Sequence, residues 1–391
     1  MRRRHVVAGW LSLIAIGGLW LAVRPLAAVA GGDPPSANGG AAPASKTVDP
    51  VAVRSAVVRA VKRLRKEQKR DGSFGTMPGE TALALLTLRD ARVPADDKAC
   101  RRAASNLERS LPDGSVYGAA IGIVALLEQN PRLHDSKVRE LLADVISGQC
   151  KNGQWTYAYR PTKRKKAGDN SNAQFAMLAL AAARAHGLKV PQEPFDRCRT
   201  FLESTQNKDG GWGYSAKERS RSYASMTAGC LMMVALARAP DAKANASRPS
   251  ERRALAWLGR HFDPALNTGA RAAFGAKAKK RSDSFWRHYC LWSMERAGAA
   301  AHAETFGERA WYPEGARRLL ATQRDDGGWR NPETLLRATC FAVLFLGRNT
   351  RRVLTPRDVP KPVSTPSGDG AADPAGKPPS SPPSAPPPAP R

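Results

Sequence analysis

The stretch QNKDGGWGY, residues 206–214, lies between two runs rich in Ala, Leu and Met. The same phrase reads QKRDGSFG at 68–75, QCKNGQW at 149–155 and QRDDGGW at 323–329, and a weaker copy, LPDGSVYG, occupies 111–118. Self-similarity at intervals of tens of residues marks a repeat architecture, in which each copy belongs to one supersecondary unit. Every copy here follows one helical run and precedes another. Asp-Gly or Asn-Gly makes the turn, because glycine takes positive φ without steric cost. The Gln is expected to donate to the free carbonyls at the end of its helix. The aromatic (Phe74, Trp155, Trp212 or Trp329) is expected to pack back over that helix end.

Helical periodicity extends outward from the phrase. Val53, Val57, Val61 and Leu64 fall on one face of a helix. The pattern predicts first helices over about 51–68, 97–109, 135–149, 194–206, 250–261 and 312–323. Second helices follow over about 80–90, 117–129, 172–186, 224–238, 285–297 and 335–347. Six hairpins curling about a centre close a ring: an all-α, α/α toroid of six inner and six outer helices. The second helices are the inner ones, since AQFAMLALAAA and SMTAGCLMMVALA are apolar on every face.

The ring accounts for 49–354 of the 391 residues. The chain starts Arg2-Arg3-Arg4, runs apolar from Val6 to Val23 and shows Ala28-Val29-Ala30 before Gly31. Residues 1–30 therefore read as a signal peptide, with an uncleaved membrane anchor as the alternative. Either reading places the ring outside the cytoplasm, in the periplasm or beyond the cell. Residues 31–48 are a Gly/Ala/Pro/Ser linker. Residues 355–391, rich in Pro, Ser and Ala, bury too little apolar surface to offset ordering and read as a disordered tail, a spacer or a ligand for a partner the sequence does not name. The net charge is +28, with Arg well ahead of Lys. Export and the absence of a recognition motif argue against nucleic acid, leaving association with a membrane surface. Cys100, Cys150, Cys198, Cys230, Cys290 and Cys340 form no CxxC and read as small buried hydrophobes.

The QxxDGGW phrase resembles the QW repeat of the squalene–hopene cyclase and protein prenyltransferase superfamily. DNSNAQFAMLAL (Asp169 to Leu180), SMTAGCLMM (Ser225 to Met233), YCLWSMERAG (Tyr289 to Gly298) and WYPEGARRLLATQRDDGGW (Trp311 to Trp329) sharpen the likeness. Together they look like the exported prenyltransferase and squalene oxidase repeat proteins of planctomycete-type bacteria. The resemblance covers about 51–347 and implies the α/α toroid.

The chemistries implied by the resemblance lack their residues here. The Asp-x-Asp-Asp motif of protonating triterpene cyclases is missing. Only Tyr223, Phe285, Trp286, Tyr289 and Trp292 are expected to line a cavity, a thin aromatic set for stabilising a carbocation. Registering the prenyltransferase zinc motifs on the matching helix starts places Ser220, Ser222 and Trp286 at the ligand positions, so catalytic zinc is not expected. The Cys-Gly-Glu-Gln of complement-type thioester domains is missing too. No cofactor is expected.

A site is expected where the inner helices begin, at one mouth of the cavity. Asp169, Asn170, Asn172 and Gln174 open the third inner helix, Tyr223, Ser225 and Thr227 the fourth, and Asp283, Arg287, His288 and Tyr289 the fifth. Capping accounts for one residue per helix but not for Gln174, His288 or Tyr289. Basic loops precede these helices: Lys163, Arg164, Lys165 and Lys166; then Lys217, Arg219 and Arg221; then Lys277, Lys279, Lys280 and Arg281. With the helix dipoles they would bind an anion. The leading expectation is a toroid holding a lipid-like or anionic ligand. The alternatives are a non-catalytic envelope scaffold and an acidic-polysaccharide lyase or binder.

Overall fold

The computed structural model describes residues 47–159, 167–215, 220–238, 247–274, 282–330 and 333–354. The expected leader and Pro-rich tail, and nearly all of the linker, lie outside the described residues. Six outer helices are α1 (Pro50–Glu67), α3 (Lys98–Ser110), α5 (Asp135–Ser147), α7 (Glu193–Thr205), α9 (Pro249–His261) and α12 (Trp311–Thr322). Six inner helices are α2 (Pro78–Asp90), α4 (Val116–Gln129), α6 (Asn170–Ala185), α8 (Ala224–Leu236), α11 (Arg287–Ala300) and α13 (Leu335–Leu346). Two short helices, α10 (Ala270–Phe274) and α14 (Asn349–Leu354), complete the order.

Burial separates the two sets as the apolar patterns require. Outer helix α1 buries one stripe, Ala56, Ala60 and Leu64, at a four-residue repeat. Inner helix α4 buries every residue from Val116 to Gln129. The inner helices pack in sequence, α2 on α4, α4 on α6, α6 on α8, α8 on α11 and α11 on α13, and α13 returns to α2. The fold is an α/α toroid. At the end where the inner helices finish, α14 packs against α6 and α11, and the Thr350 hydroxyl donates to Glu295 Oε2 at 2.6 Å.

The repeat phrase works differently from its expected role. Gln206 does not cap its own helix. Its amide donates to Gly210 O at 2.8 Å and to Ser250 O, in the first turn of the next outer helix, at 2.9 Å. Gln68 reaches Gly72 and Ala99 in the same way, Gln149 reaches Gly153 and Pro194, and Gln323 reaches Gly327 and Ala56. Each Gln thus staples its turn to the following outer helix. The Gln323 staple joins the last hairpin to the first. Three residues beyond each accepting carbonyl stands an Arg, namely Arg102, Arg197, Arg253 or Arg59, which reaches back to the phrase. The turn glycine is needed twice over. Gly210 has φ 94°, and a Cβ there would lie 2.7 Å from Arg253 O. The Trp residues do clamp helix ends: Trp155, Trp212 and Trp329 donate to Val145, Leu202 and Leu319 carbonyls at 2.7, 2.9 and 2.9 Å.

All six cysteines are buried and none forms a disulfide. Burial pushes up the thiols of Cys100, Cys198, Cys230, Cys290 and Cys340, to about 11 at Cys100 and about 12 at Cys198 and Cys340, so these behave as hydrophobes. Among the described residues no helix is long and apolar enough to cross a membrane.

Candidate functional site

Between the first turns of the inner helices lies a cavity of about 850 Å³, its open mouth included. Leu83, Ile121 and Met226 give it an aliphatic wall. Nine aromatic side chains dominate the rest. Tyr117, Phe175, Tyr289 and Phe341 come from inner helices, and Tyr157, Tyr214, Tyr223, Phe274 and Trp286 from the segments between. The expected aromatic set was therefore too small and partly misplaced. Phe285 and Trp292 are not in the lining. Trp292 is buried below the cavity floor, stacked at 5.3 Å on Phe341. The rings contact one another in edge and tilted pairs, Tyr117 on Phe175 at 4.9 Å and Tyr289 on Phe341 at 5.6 Å.

Few polar groups enter this wall. Glu80 and Arg337 join the first and last inner helices, Nη2 to Oε1 at 2.7 Å, and both side chains are nearly buried. The other Glu80 oxygen accepts from the Thr76 and Met77 amides at 2.7 and 3.2 Å, so the pair is satisfied internally. Opposite stands a cluster of hydroxyls. The Tyr117 and Ser171 hydroxyls are 2.5 Å apart, and those of Tyr157 and Tyr214 are 2.6 Å apart. Asp169 stands near this pair, and its interaction with Tyr214 partly offsets the upward effect of burial on its carboxyl. Burial pushes Asp169 up to about 6, and pushes the four tyrosines Tyr117, Tyr157, Tyr214 and Tyr289 up, so their hydroxyls stay protonated.

The residues expected at the mouth divide into three groups. Tyr223 and Tyr289 line the cavity, Tyr223 in contact with Phe274 at 5.6 Å. Asp169 and Gln174 stand directly behind the lining, Asp169 near Tyr214 and Gln174 donating to the Tyr289 oxygen. The others serve the scaffold. Asn172 bonds Asp169 at 2.8 Å, and Asn170 bridges Gln154 and Gly213 at 2.7 and 2.9 Å. Asp283 caps α10 through the Arg271 amide at 2.7 Å. His288 is buried against Glu333 at 2.5 Å. Arg287, half-buried at the start of α11, is lowered by desolvation. Ser225 also lines the cavity, and Thr227 instead bonds the Trp212 amide at 3.1 Å.

Of the expected anion-binding residues, Arg221 is exposed. Lys163, Arg164, Lys165, Lys166, Lys217, Arg219, Lys277, Lys279, Lys280 and Arg281 lie outside the described residues. The inner-helix amides are already engaged. The Asn172 amide donates to Asp169, Ser225 to Asn267 Oδ1 at 2.9 Å, and Tyr289 to Glu333 Oε1 at 3.1 Å. Those three helix starts therefore offer these N–H groups to the fold rather than to an anion.

Sequence reasoning missed Tyr117, Tyr157, Ser171, Phe175, Tyr214 and Phe341. A signal for two of them was present: the copies at Trp155 and Trp212 carry a Tyr two residues after the Trp, and those at Phe74 and Trp329 do not. Among the described residues no three His, Cys, Asp or Glu side chains gather as a metal site requires.

No protein-family model and no curated protein matches the sequence. Solved structures match it in fold. An α-1,6-mannanase from Salegentibacter aligns with a TM-score of 0.53 at 10% identity, over 77% of this chain and 99% of its own. A type II terpene cyclase from Scytonema, solved with geranylgeranyl dihydroxybenzoate, gives 0.47 at 16% identity, over 77% and 98%. An ent-copalyl diphosphate synthase from Streptomyces platensis gives 0.37 at 15% identity, over 76% and 50%. The mannanase likeness agrees with the α/α toroid described above. At these identities the likeness speaks for the fold and not for a reaction.

Proposed function

We propose that this toroid binds a lipid-like molecule, its apolar body held in the central cavity. The observation that carries the reading is the lining: nine aromatic side chains with three aliphatic ones face one open space at the inner-helix starts. A scaffold would have no use for a pocket of this kind, since filling it with side chains would stabilise the ring. Export through residues 1–30, and an anionic head contacting the basic loops around 163–166 and 279–281, are part of the same proposal. The lining offers no DxDD-like acid, so the reading is one of binding and does not include alkene protonation.

An apolar fluorescent probe, phenylnaphthylamine, tests it. The full-length protein should bind the probe saturably at one site. Ile121→Trp fills the cavity and should abolish that signal while circular dichroism stays helical. Saturable binding that survives Ile121→Trp would place the probe elsewhere and remove the support for this reading.

A further inference from the structure

The hydroxyl end of the cavity has a built-in direction. Tyr289 sits in the lining, and its oxygen accepts from the Gln174 amide behind the wall, with the Arg296 guanidinium 5.9 Å from its ring centre. Arg296 is fully buried, over the Trp292 ring at 4.0 Å. Its Nη2 donates to Gln174 Oε1 at 2.8 Å and to Ser293 Oγ at 3.0 Å. A guanidinium has no acceptor, so it fixes which way the Gln174 amide lies: Oε1 toward Arg296 and Nε2 toward Tyr289. The Gln174 amide behind Tyr289 therefore donates to its oxygen. Its proton is left for the other side, where Ser171 and the cavity are. Ser293 does not compete as a donor, because its own proton goes to the Tyr289 carbonyl at 2.9 Å.

We infer that Tyr289 is the hydrogen-bond donor that selects an oxygen-bearing lipid, one with an acceptor oxygen such as a ketone at the hydroxyl end of the cavity, and that Gln174 and Arg296 are positioning residues that aim its proton. This rests on the lipid-binding reading of the cavity and adds the class of ligand. A pure hydrocarbon would leave the Tyr289 proton facing apolar atoms, whereas an acceptor oxygen there would take it. The burial of Gln174 and Arg296 is the cost of holding that direction, since neither touches the cavity.

The test compares pentadecane with methyl tridecyl ketone, a chain of equal length, each displacing phenylnaphthylamine from the full-length protein. Tyr289→Phe should weaken the ketone about five- to tenfold and leave pentadecane within about twofold. Gln174→Glu keeps the size and the partner Arg296, but its carboxylate accepts the Tyr289 proton. It should weaken the ketone as Tyr289→Phe does, with pentadecane again unchanged. Ser171→Ala, at a half-buried helix start, is the variant least able to disturb folding and should lower the ketone's affinity less than Tyr289→Phe. Equal weakening of both probes by Tyr289→Phe and Gln174→Glu would make these residues structural and overturn the inference. So would ketone binding that neither variant changes, with the lipid reading left standing. If neither compound displaces the probe from the unaltered protein, the lipid reading falls as well.

Discussion

Asp169 and Glu295 are carboxyls that the fold takes out of water, one at the cavity end of the ring and one at the end covered by α14. Burial raises Asp169 from 3.8 to about 6 and Glu295 from 4.5 to about 8. In both cases the folded value lies above the unfolded one, so the folded state keeps protons that the unfolded chain has lost. Stability is then greatest below the unfolded values and declines as pH rises, across 3.8 to about 6 for Asp169 and 4.5 to about 8 for Glu295. Glu295→Gln removes the second decline while its amide oxygen can still accept from Thr350. Urea midpoints measured from pH 4 to 9 should fall less steeply in this variant, and a slope equal to that of the unaltered protein would contradict the assignment. At this scale the sequence was partly legible. Tyr223 and Tyr289 stand at inner-helix starts, where a mouth is easy to place. Tyr157 and Tyr214 lie beyond the repeat turns, and only the return of those segments to Asp169 brings their hydroxyls into the wall.

Helices were the most legible element, because a period of 3.6 residues is written directly in the apolar pattern. Every predicted inner and outer helix has its counterpart within three residues at each end. The Gln of the phrase was misread because its partner lies one hairpin ahead, and for Gln323 at the far end of the sequence, in α1. Sequence proximity suggested the Gln's own helix; closure of the ring supplied another. Gln323→Leu would leave the Ala56 and Gly327 carbonyls without this donor and should cost about 1–3 kcal/mol. The loss should be local as well as global. Hydrogen exchange should quicken in α1, whereas Gln206→Leu, at an interior joint, should leave α1 protected. Equal protection of α1 in both variants would mean that the first and last hairpins are held by helix packing alone.

For the whole molecule, ring closure and the cavity are one problem. Six inner helices packed side by side meet at the end covered by α14, where Trp292, Arg296 and Glu295 fill the centre. At their N-terminal end they enclose the aromatic space. The toroid was legible from the repeat. The richness of its cavity was not, because five of the nine aromatic residues come from segments between the inner helices, whose direction no helical period records. The measurement that bears most directly on the account is native mass spectrometry of the protein purified from its own host. The account predicts one added small molecule per chain, released on unfolding, apolar and carrying an acceptor oxygen, and lost in Ile121→Trp. A bare protein mass that stays bare after exposure to the host's own lipid extract would contradict it.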